Sequence, residues 1–394
     1  MNYLVLVEPI FRGSRLQILF YVLDALSNQY DKIYILTRSD YFTEHYVEFS
    51  NKFKVHYEII SVNDLKIEGV WIKKLSIKEM FRVLKSFKKL LGKLKEDSKS
   101  RIDVIFMALD DYYIPFIMLQ RLFLINDKTI RYYGIKYRVL YNCSDIFSCV
   151  KQILVFVSLK YLMFSKIKII IFDERINDYP SIIKSGFSII PDPWEGNYST
   201  SLRDQARKKY NIESDKFVIS LIGKQNKRKG FSFILSHIEE ILTIYGNIII
   251  LISGKVENPR EEMLLQEIAN KYGKRIIYIN HYLSEKEIVY SYAASDVILL
   301  PYSKDFNSSS GVLVRACATE VPVITSKHGL VGYRVKNNKI GLTFEFGNFS
   351  ELRICIEKMI NDNELYNFFK MGCRLFANKN SIASFKKQLI KIFT

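Results

Sequence analysis

The sequence predicts an α/β protein of two Rossmann-like parallel-sheet domains facing one cleft. Three observations carry that expectation. Short apolar runs alternate with amphipathic stretches along the whole chain. Its 394 residues exceed one ordinary core and suit two domains of roughly 150–200 residues. The stretch Pro191-Asp192-Pro193-Trp194-Glu195-Gly196 breaks the alternation with two prolines and a glycine. The expected division is a first domain over 1–190, a linker over 191–200, a second domain over 201–375 and a closing helix over 376–394 packing back on the first domain.

In the first half, Tyr3–Val7 reads as a strand, Glu8–Gly13 as a loop and Ser14–Ser27 as a helix. Lys32–Leu36, Asp103–Met107 and Ile167–Phe172 are further strands, the second ending at Ala108-Leu109-Asp110-Asp111. In the second half, strand Phe217–Ile222 leads to helix Gly230–Tyr245, strand Asn247–Ser253, helix Glu261–Tyr272 and strand Arg275–Ile279. Ser284 with Glu287 spells a capping box for a helix reaching Ala294. Strand Val297–Leu300, helix Gly311–Ala318 and strand Val321–Thr325 follow, and helices ending at Ser384–Phe393 close the chain.

Composition narrows the class. With 48% apolar and 25% charged residues the chain is globular rather than disordered. The five cysteines (Cys143, Cys149, Cys317, Cys355 and Cys373) are odd in number and form no Cys-x-x-Cys pair, so a reducing compartment is expected, with neither a disulfide framework nor a zinc site. Glu8-Pro9 interrupts the first apolar run before a signal peptide could form. No run reaches the roughly 20 uncharged residues of a membrane span. The nearest, Ile146 to Phe172, is broken by Lys151, Lys160, Lys166 and Lys168. A cytoplasmic protein, peripheral on the inner face of the cell membrane, is the expectation.

The net charge of +17 calls for an anionic partner. Lys73 to Arg101 holds eleven basic residues and three acids, with Ile77, Met80, Phe81, Leu84, Phe87, Leu91 and Leu94 spaced three and four apart. One reading is a surface helix with its apolar stripe on a core and its lysines in water. The other adds contact with anionic lipid. No helix-turn-helix, zinc-finger or aromatic RNA-binding motif is present, so a nucleic-acid partner is not expected.

Parallel sheets bind ligands where strands end and helices begin. Three loops qualify in the second half. Gly223-Lys224-Gln225-Asn226-Lys227-Arg228-Lys229-Gly230 sets four cations between two glycines, suiting an anion such as a diphosphate, although the Gly-Lys-Ser/Thr ending of a Walker A loop is missing. Ser308-Ser309-Ser310-Gly311 offers hydroxyls and free amides at a helix start, for phosphate or as a plain N-cap. Asn280-His281-Tyr282 follows a strand and either lines a base pocket or is an ordinary loop.

The order of these motifs resembles the donor domain of retaining glycosyltransferases of family 4, from about Phe217 to Phe346. Lys224 and Lys229-Gly230 stand where that family has Gly-Arg and, five residues on, Lys-Gly. Ala293-Ala294-Ser295-Asp296 leads into Val297-Ile298-Leu299-Leu300-Pro301, then come Ser309-Ser310-Gly311-Val312-Leu313-Val314-Arg315-Ala316-Cys317-Ala318 and Val321-Pro322-Val323-Ile324-Thr325-Ser326. His328-Gly329-Leu330-Val331-Gly332 and Ile340-Gly341-Leu342 continue the likeness. The family pairs two glutamates eight residues apart, the first toward the donor sugar and the second on the ribose. Asn307 and Arg315 occupy those positions here, and arginine offers only donors where the family has an acceptor.

The resemblance implies the GT-B fold and transfer of a sugar from a UDP- or GDP-sugar, without metal or other cofactor, to a lipid-linked or polysaccharide acceptor in surface polysaccharide or lipopolysaccharide assembly. Lys224 and Lys229 with the amides of Ser308, Ser309, Ser310 and Gly311 would stabilise the leaving diphosphate, beside Gly13, His281, Tyr282, Asn307 and Arg315 as further donor contacts. With retention, the departing phosphate takes the acceptor's proton. With inversion, Glu8, Asp110 or Asp111 would be the base. The rivals are an inactive GT-B subunit and another GT-B enzyme such as a nucleotide-sugar epimerase.

Overall fold

The computed structural model describes residues 1–9, 15–37, 57–61, 77–95, 101–111, 127–140, 146–164 and 167–394. They divide into two compact units, Met1–Ile190 with Phe385–Thr394, and Pro191–Ser384.

The first unit is built on strands β1 (Asn2–Val7), β2 (Lys32–Thr37), β3 (Tyr57–Ser61), β4 (Arg101–Phe106), β5 (Ile130–Lys136), β6 (Ile167–Ile171) and β7 (Phe187–Ile189). They form one parallel sheet in the order β3-β2-β1-β4-β5-β6-β7. Strand β1 buries all but its first residue, as a strand covered on both faces must. Helix α1 is Arg15–Leu26, α2 is Ile77–Lys95, α3 is Ile146–Phe164 and α4 is the single turn Ser181–Lys184.

Helix α2 carries the apolar stripe over its described side chains with one change, the side chain of Ile77 lying outside the described residues. Met80, Leu84, Phe87, Leu91 and Leu94 are buried with Val83 and Leu90, whereas Phe81 is 44% exposed. One core over the sheet holds these side chains together with Val155 and Leu159 of α3. Gly13, Asp111's side chain, and the ends of the basic segment at 73–76 and 96–100 lie outside the described residues.

The second unit repeats the plan. Strands β8 (Phe217–Ile222), β9 (Ile248–Ser253), β10 (Ile276–Ile279), β11 (Val297–Leu300), β12 (Val323–Ser326) and β13 (Gly341–Phe344) form a parallel sheet in the order β10-β9-β8-β11-β12-β13. Its helices are α5 (Arg203–Lys209), α6 (Phe231–Leu235), α7 (Ile238–Ile244), α8 (Pro259–Tyr272), α9 (Glu285–Ala294), α10 (Gly311–Ala318), α11 (Gly329–Asn338), α12 (Phe349–Asn361) and α13 (Asn363–Lys379). The helix expected over Gly230–Tyr245 is two. His237 interrupts it, its Nδ1 lying 2.8 Å from the Phe233 carbonyl and its ring stacked 4.3 Å from Phe349. The capping box of α9 forms with both reciprocal bonds.

Residues 191–200 are anchored in this second unit rather than loose. Asp192 pairs at 3.0 Å with the buried Arg334, and the Trp194 indole donates to the Ala377 carbonyl at 2.9 Å. The closing segment is not one helix: α13 stops at Lys379 and α14 spans Ile382–Phe393. From Phe385 onward α14 belongs to the first unit, where Phe385, Leu389 and Phe393 are buried. Arg101 and Arg131 both donate to the Phe393 carbonyl, at 2.9 and 2.8 Å, while Asp103 accepts from each guanidinium.

In each sheet the connections reverse direction once, between β1 and β4 and between β8 and β11. Such reversal points open a crevice at the carboxyl ends of the two strands.

Candidate active site

In the second unit the loop after β8 is held by its own side chains. The Gly223 amide donates to the Ser253 carbonyl at 2.7 Å, and Gln225 extends the pairing by accepting from Glu257 and donating to Lys255. Asn226 caps the turn Lys227–Lys229, accepting from the Lys229 amide at 3.1 Å. Gly230 ends the turn at φ +73°, where a Cβ would stand 1.7 Å from the Pro301 carbonyl oxygen. Only glycine fits both the left-handed backbone and that approach. The loops after β8 and β11 therefore touch at the reversal point, and Ser303 ties them again by donating its amide and hydroxyl to the Arg228 carbonyl, both at 3.1 Å.

Lys229 turns inward, its Nζ 3.4 Å from the Ile222 carbonyl at the end of β8. Burial, reinforced by the Arg228 charge, pushes its pKa down to about 8. An anion beside it would restore the charge. Lys224 points to the surface and pairs with Glu257 at 3.1 Å, holding that carboxyl below its usual range.

The loop after β11 runs into α10. Ser310 is the N-cap: its Oγ accepts from the Leu313 amide at 3.4 Å and shares a 2.8 Å bond with the Tyr302 hydroxyl. Tyr302 stacks on Phe306 at 3.9 Å, and the Arg228 guanidinium lies 4.6 Å over the Phe306 ring. Ser308 and Ser309 are half-buried, and Gly311 is exposed at the helix start. The loop after β12 joins this group, since His328 Nε2 lies 2.8 Å from the Ser303 carbonyl.

Four buried polar atoms around these strand ends have no hydrogen-bond partner among the described residues: Asn307 Oδ1, His328 Nδ1, Ser326 Oγ and Arg315 Nε. Buried polar atoms are ordinarily bonded, so their concentration here suits a polar ligand. Arg315 reaches back along α10, one Nη 3.3 Å from where a Gly311 Cβ would stand, and its charge lies near the buried Tyr292 of α9.

His281 and Tyr282 are not drawn into this group. They follow β10 at the sheet edge, with β9 between it and β8. His281 Nε2 lies 2.9 Å from Glu287, the capping-box acid, and Tyr282 is 74% exposed. Glu287 accepts from the Ser284 amide and hydroxyl and from His281, and its pKa falls to about 2. Asp296 of the Ala-x-x-Asp stretch lies at the opposite end of β11. It is bonded to Arg203, to Arg207 at 2.6 Å and to the Val218 amide at 2.7 Å, which is a structural role. Tyr302, Ser303 and His328 belong to the site without having been singled out as site residues. The rule that selects the loops after β8, β10 and β11 reaches His328 when applied to β12 as well.

In the first unit the other reversal point gathers Glu8, Arg15, Asp110, Lys136 and Tyr137. Glu8 is fully buried and Arg15 Nη1 stands 3.9 Å from its Oε1. Asp110 meets Lys136 Nζ at 2.9 Å and accepts from the amides of Tyr137 and Arg138 at 2.6 and 3.2 Å. Burial pushes its pKa up, but the Lys136 ammonium and the Tyr137 amide outweigh it and hold the carboxyl below its ordinary value. The side chain of Asp111 is not described, although its backbone closes the turn Leu109–Asp111. Among the described residues no three His, Cys, Asp or Glu side chains converge as metal ligands would, and no helix is long and apolar enough to cross a membrane.

The second unit, with this geometry, is similar to known proteins. Residues 203–372 match the family model of glycosyl transferases group 1. Over those residues the second unit is similar to the glycosyl transferases of that group.

Over 158 residues the chain is 26% identical to the capsular polysaccharide biosynthesis glycosyltransferase CapM of Staphylococcus aureus, an alignment spanning 40% of each protein. Across its whole length it is similar in structure to a glycosyltransferase from Rickettsia africae, with TM-score 0.69 and 14% identity over 97% of that chain. It is also similar to Anabaena HepE solved with UDP, with TM-score 0.68 and 11% identity over 99% of that chain. The fold of the chain is GT-B, two parallel α/β units.

Proposed function

We propose that the chain moves a sugar from a UDP- or GDP-sugar to a lipid-linked or polysaccharide acceptor in the assembly of a bacterial surface polysaccharide. The observation that carries this reading is the junction of the β8 and β11 loops. There a half-buried lysine with a lowered pKa, a helix amino terminus and four unsatisfied polar atoms occupy one set of strand ends. When the bond from the anomeric carbon to the diphosphate breaks, the electron pair leaves with the diphosphate. Lys229 and the Ser308–Gly311 amides neutralise the charge that accumulates there, and Lys224 joins them by exchanging Glu257 for the diphosphate. Asn307 accepts from the donor sugar. The acceptor oxygen bonds the anomeric carbon on the face that the diphosphate leaves, its proton passing to the departing phosphate, so configuration is retained, and the reaction uses no metal. The first unit takes the acceptor, with Glu8 and the Asp110-Asp111 pair as its candidate polar contacts. The name of the Staphylococcus relative supports the polysaccharide class, and the basic face of α2 supports an anionic membrane as the working surface.

The test is transfer of labelled sugar from UDP- and GDP-sugars to membrane extracts by the full chain, in chelator. A labelled glycolipid or glycan formed without added metal supports the reading, and an epimerised sugar in place of a new glycosidic bond points to the epimerase. Arg315 favours one further reading, since a guanidinium, which only donates, stands where the resembled family presents a ribose acceptor. Nucleotide binding without turnover on any acceptor would make the chain an inactive binding subunit.

A further inference from the structure

The outer face of α3 is the most apolar exposed surface of the described chain. Ile146, Phe147, Val150, Ile153, Leu154 and Val157 are each 49 to 83% exposed. Their spacing puts them on one side of the helix. The opposite side is committed to the core, where Val155 and Leu159 are buried and Gln152 donates to the Val139 carbonyl at 3.0 Å. A helix apolar on both sides needs a second apolar neighbour.

Charge identifies that neighbour. Val155 and Leu159 of α3 share one core with the buried stripe of α2, so both helices cover the same face of the first sheet. That layer also presents the exposed Lys85, Lys88, Lys89 and Lys93 of α2. Two copies of a chain of charge +17 pressed together by this layer would oppose like charges. An anionic phospholipid surface attracts the lysines and dissolves the apolar side chains. Because its inner side is held by the core, α3 can meet a bilayer only along its surface, not across it.

We propose that the face formed by α3 and α2 is an interfacial membrane-binding surface for anionic phospholipid, with Phe147, Ile153 and Val157 entering the acyl region and the α2 lysines meeting the headgroups. This deepens the membrane-partner part of the proposed function and is independent of the donor site. The test is sedimentation of the full chain with phosphatidylglycerol–phosphatidylcholine vesicles and with phosphatidylcholine alone. The wild type should sediment with the anionic vesicles only. Phe147→Asp combined with Ile153→Asp and Val157→Asp should weaken that binding by about tenfold or more, while the thermal shift given by nucleoside diphosphates stays at its wild-type size. Phe147→Trp should show a blue-shifted emission with anionic vesicles, quenched by brominated acyl chains. Equal binding by the triple variant, an unshifted emission from the Phe147→Trp variant, or absence of wild-type binding would each overturn the proposal, whatever the donor assay gives. So would a wild-type dimer in sedimentation velocity that the triple variant abolishes, which would assign the face to self-association.

Discussion

Lys229 shows how a single side chain becomes useful by being badly solvated. Its Nζ finds one long contact with the Ile222 carbonyl at the end of β8 and, among the described residues, no carboxylate. The site then holds a cation short of a counter-charge, which a diphosphate supplies. Lys229→Ala is expected to lower kcat on the order of 100-fold, and wild-type turnover in that variant would remove the role. Its pKa, lowered to about 8, also sets a pH dependence. The protonated form does the work, so kcat/KM should fall as pH rises through about 8. Lys229→Arg, charged at every accessible pH, should lose that alkaline limb even if slower. A limb unchanged by the arginine would assign it to another group. Asp296 behaves in the opposite way, being fully satisfied by two guanidinium groups and an amide. Asp296→Ala strands the buried Arg207 and should cost about 3–5 kcal/mol of unfolding free energy in a denaturant titration, with nucleotide affinity lost only through folding.

At the scale of elements, the site consists of loops locked to one another. Gly230 holds a left-handed backbone against the Pro301 carbonyl, so Gly230→Ala must part the β8 and β11 loops. The expectation is more than about 1 kcal/mol of destabilisation and weaker diphosphate binding, against a near-neutral Gly246→Ala, where a Cβ meets open space. Equal effects of the two would mean the junction is not a constraint. These loops were legible because strand ends, cations, serines and glycines are local signals, as was the Ser284–Glu287 box. The break of α6 from α7 was not legible, since it depends on the stacking of His237 with Phe349, more than a hundred residues away in sequence. Strand β5 was hidden for a related reason. Its Arg131 and Lys136 look solvent-facing until Asp103 and Asp110 are brought beside them by the fold. Phe81 reads as part of the α2 stripe by spacing alone, and the core takes Val83 and Leu90 instead.

For the whole molecule, alternation of strand and helix was enough to anticipate two parallel units, because period and length need no long-range information. The return of Phe385–Thr394 to the first unit required distant partners: the Phe393 ring stacks 4.1 Å from Tyr133, and its carbonyl receives Arg101 and Arg131. Ending the chain at Ser384 should therefore destabilise the first unit by several kcal/mol, through lost burial of Phe385, Leu389 and Phe393. Calorimetry should show that loss while the nucleotide-stabilised transition of the second unit persists. The central claim is that the junction in the second unit holds a nucleoside diphosphate. It is tested most directly by thermal unfolding of the intact chain with UDP, GDP, ADP and CDP in chelator. At 100 times its dissociation constant a ligand adds about 2.7 kcal/mol, so one diphosphate should raise the transition clearly and Lys229→Ala should remove the rise. No shift with any of the four, or a shift untouched by Lys229→Ala, would contradict the account.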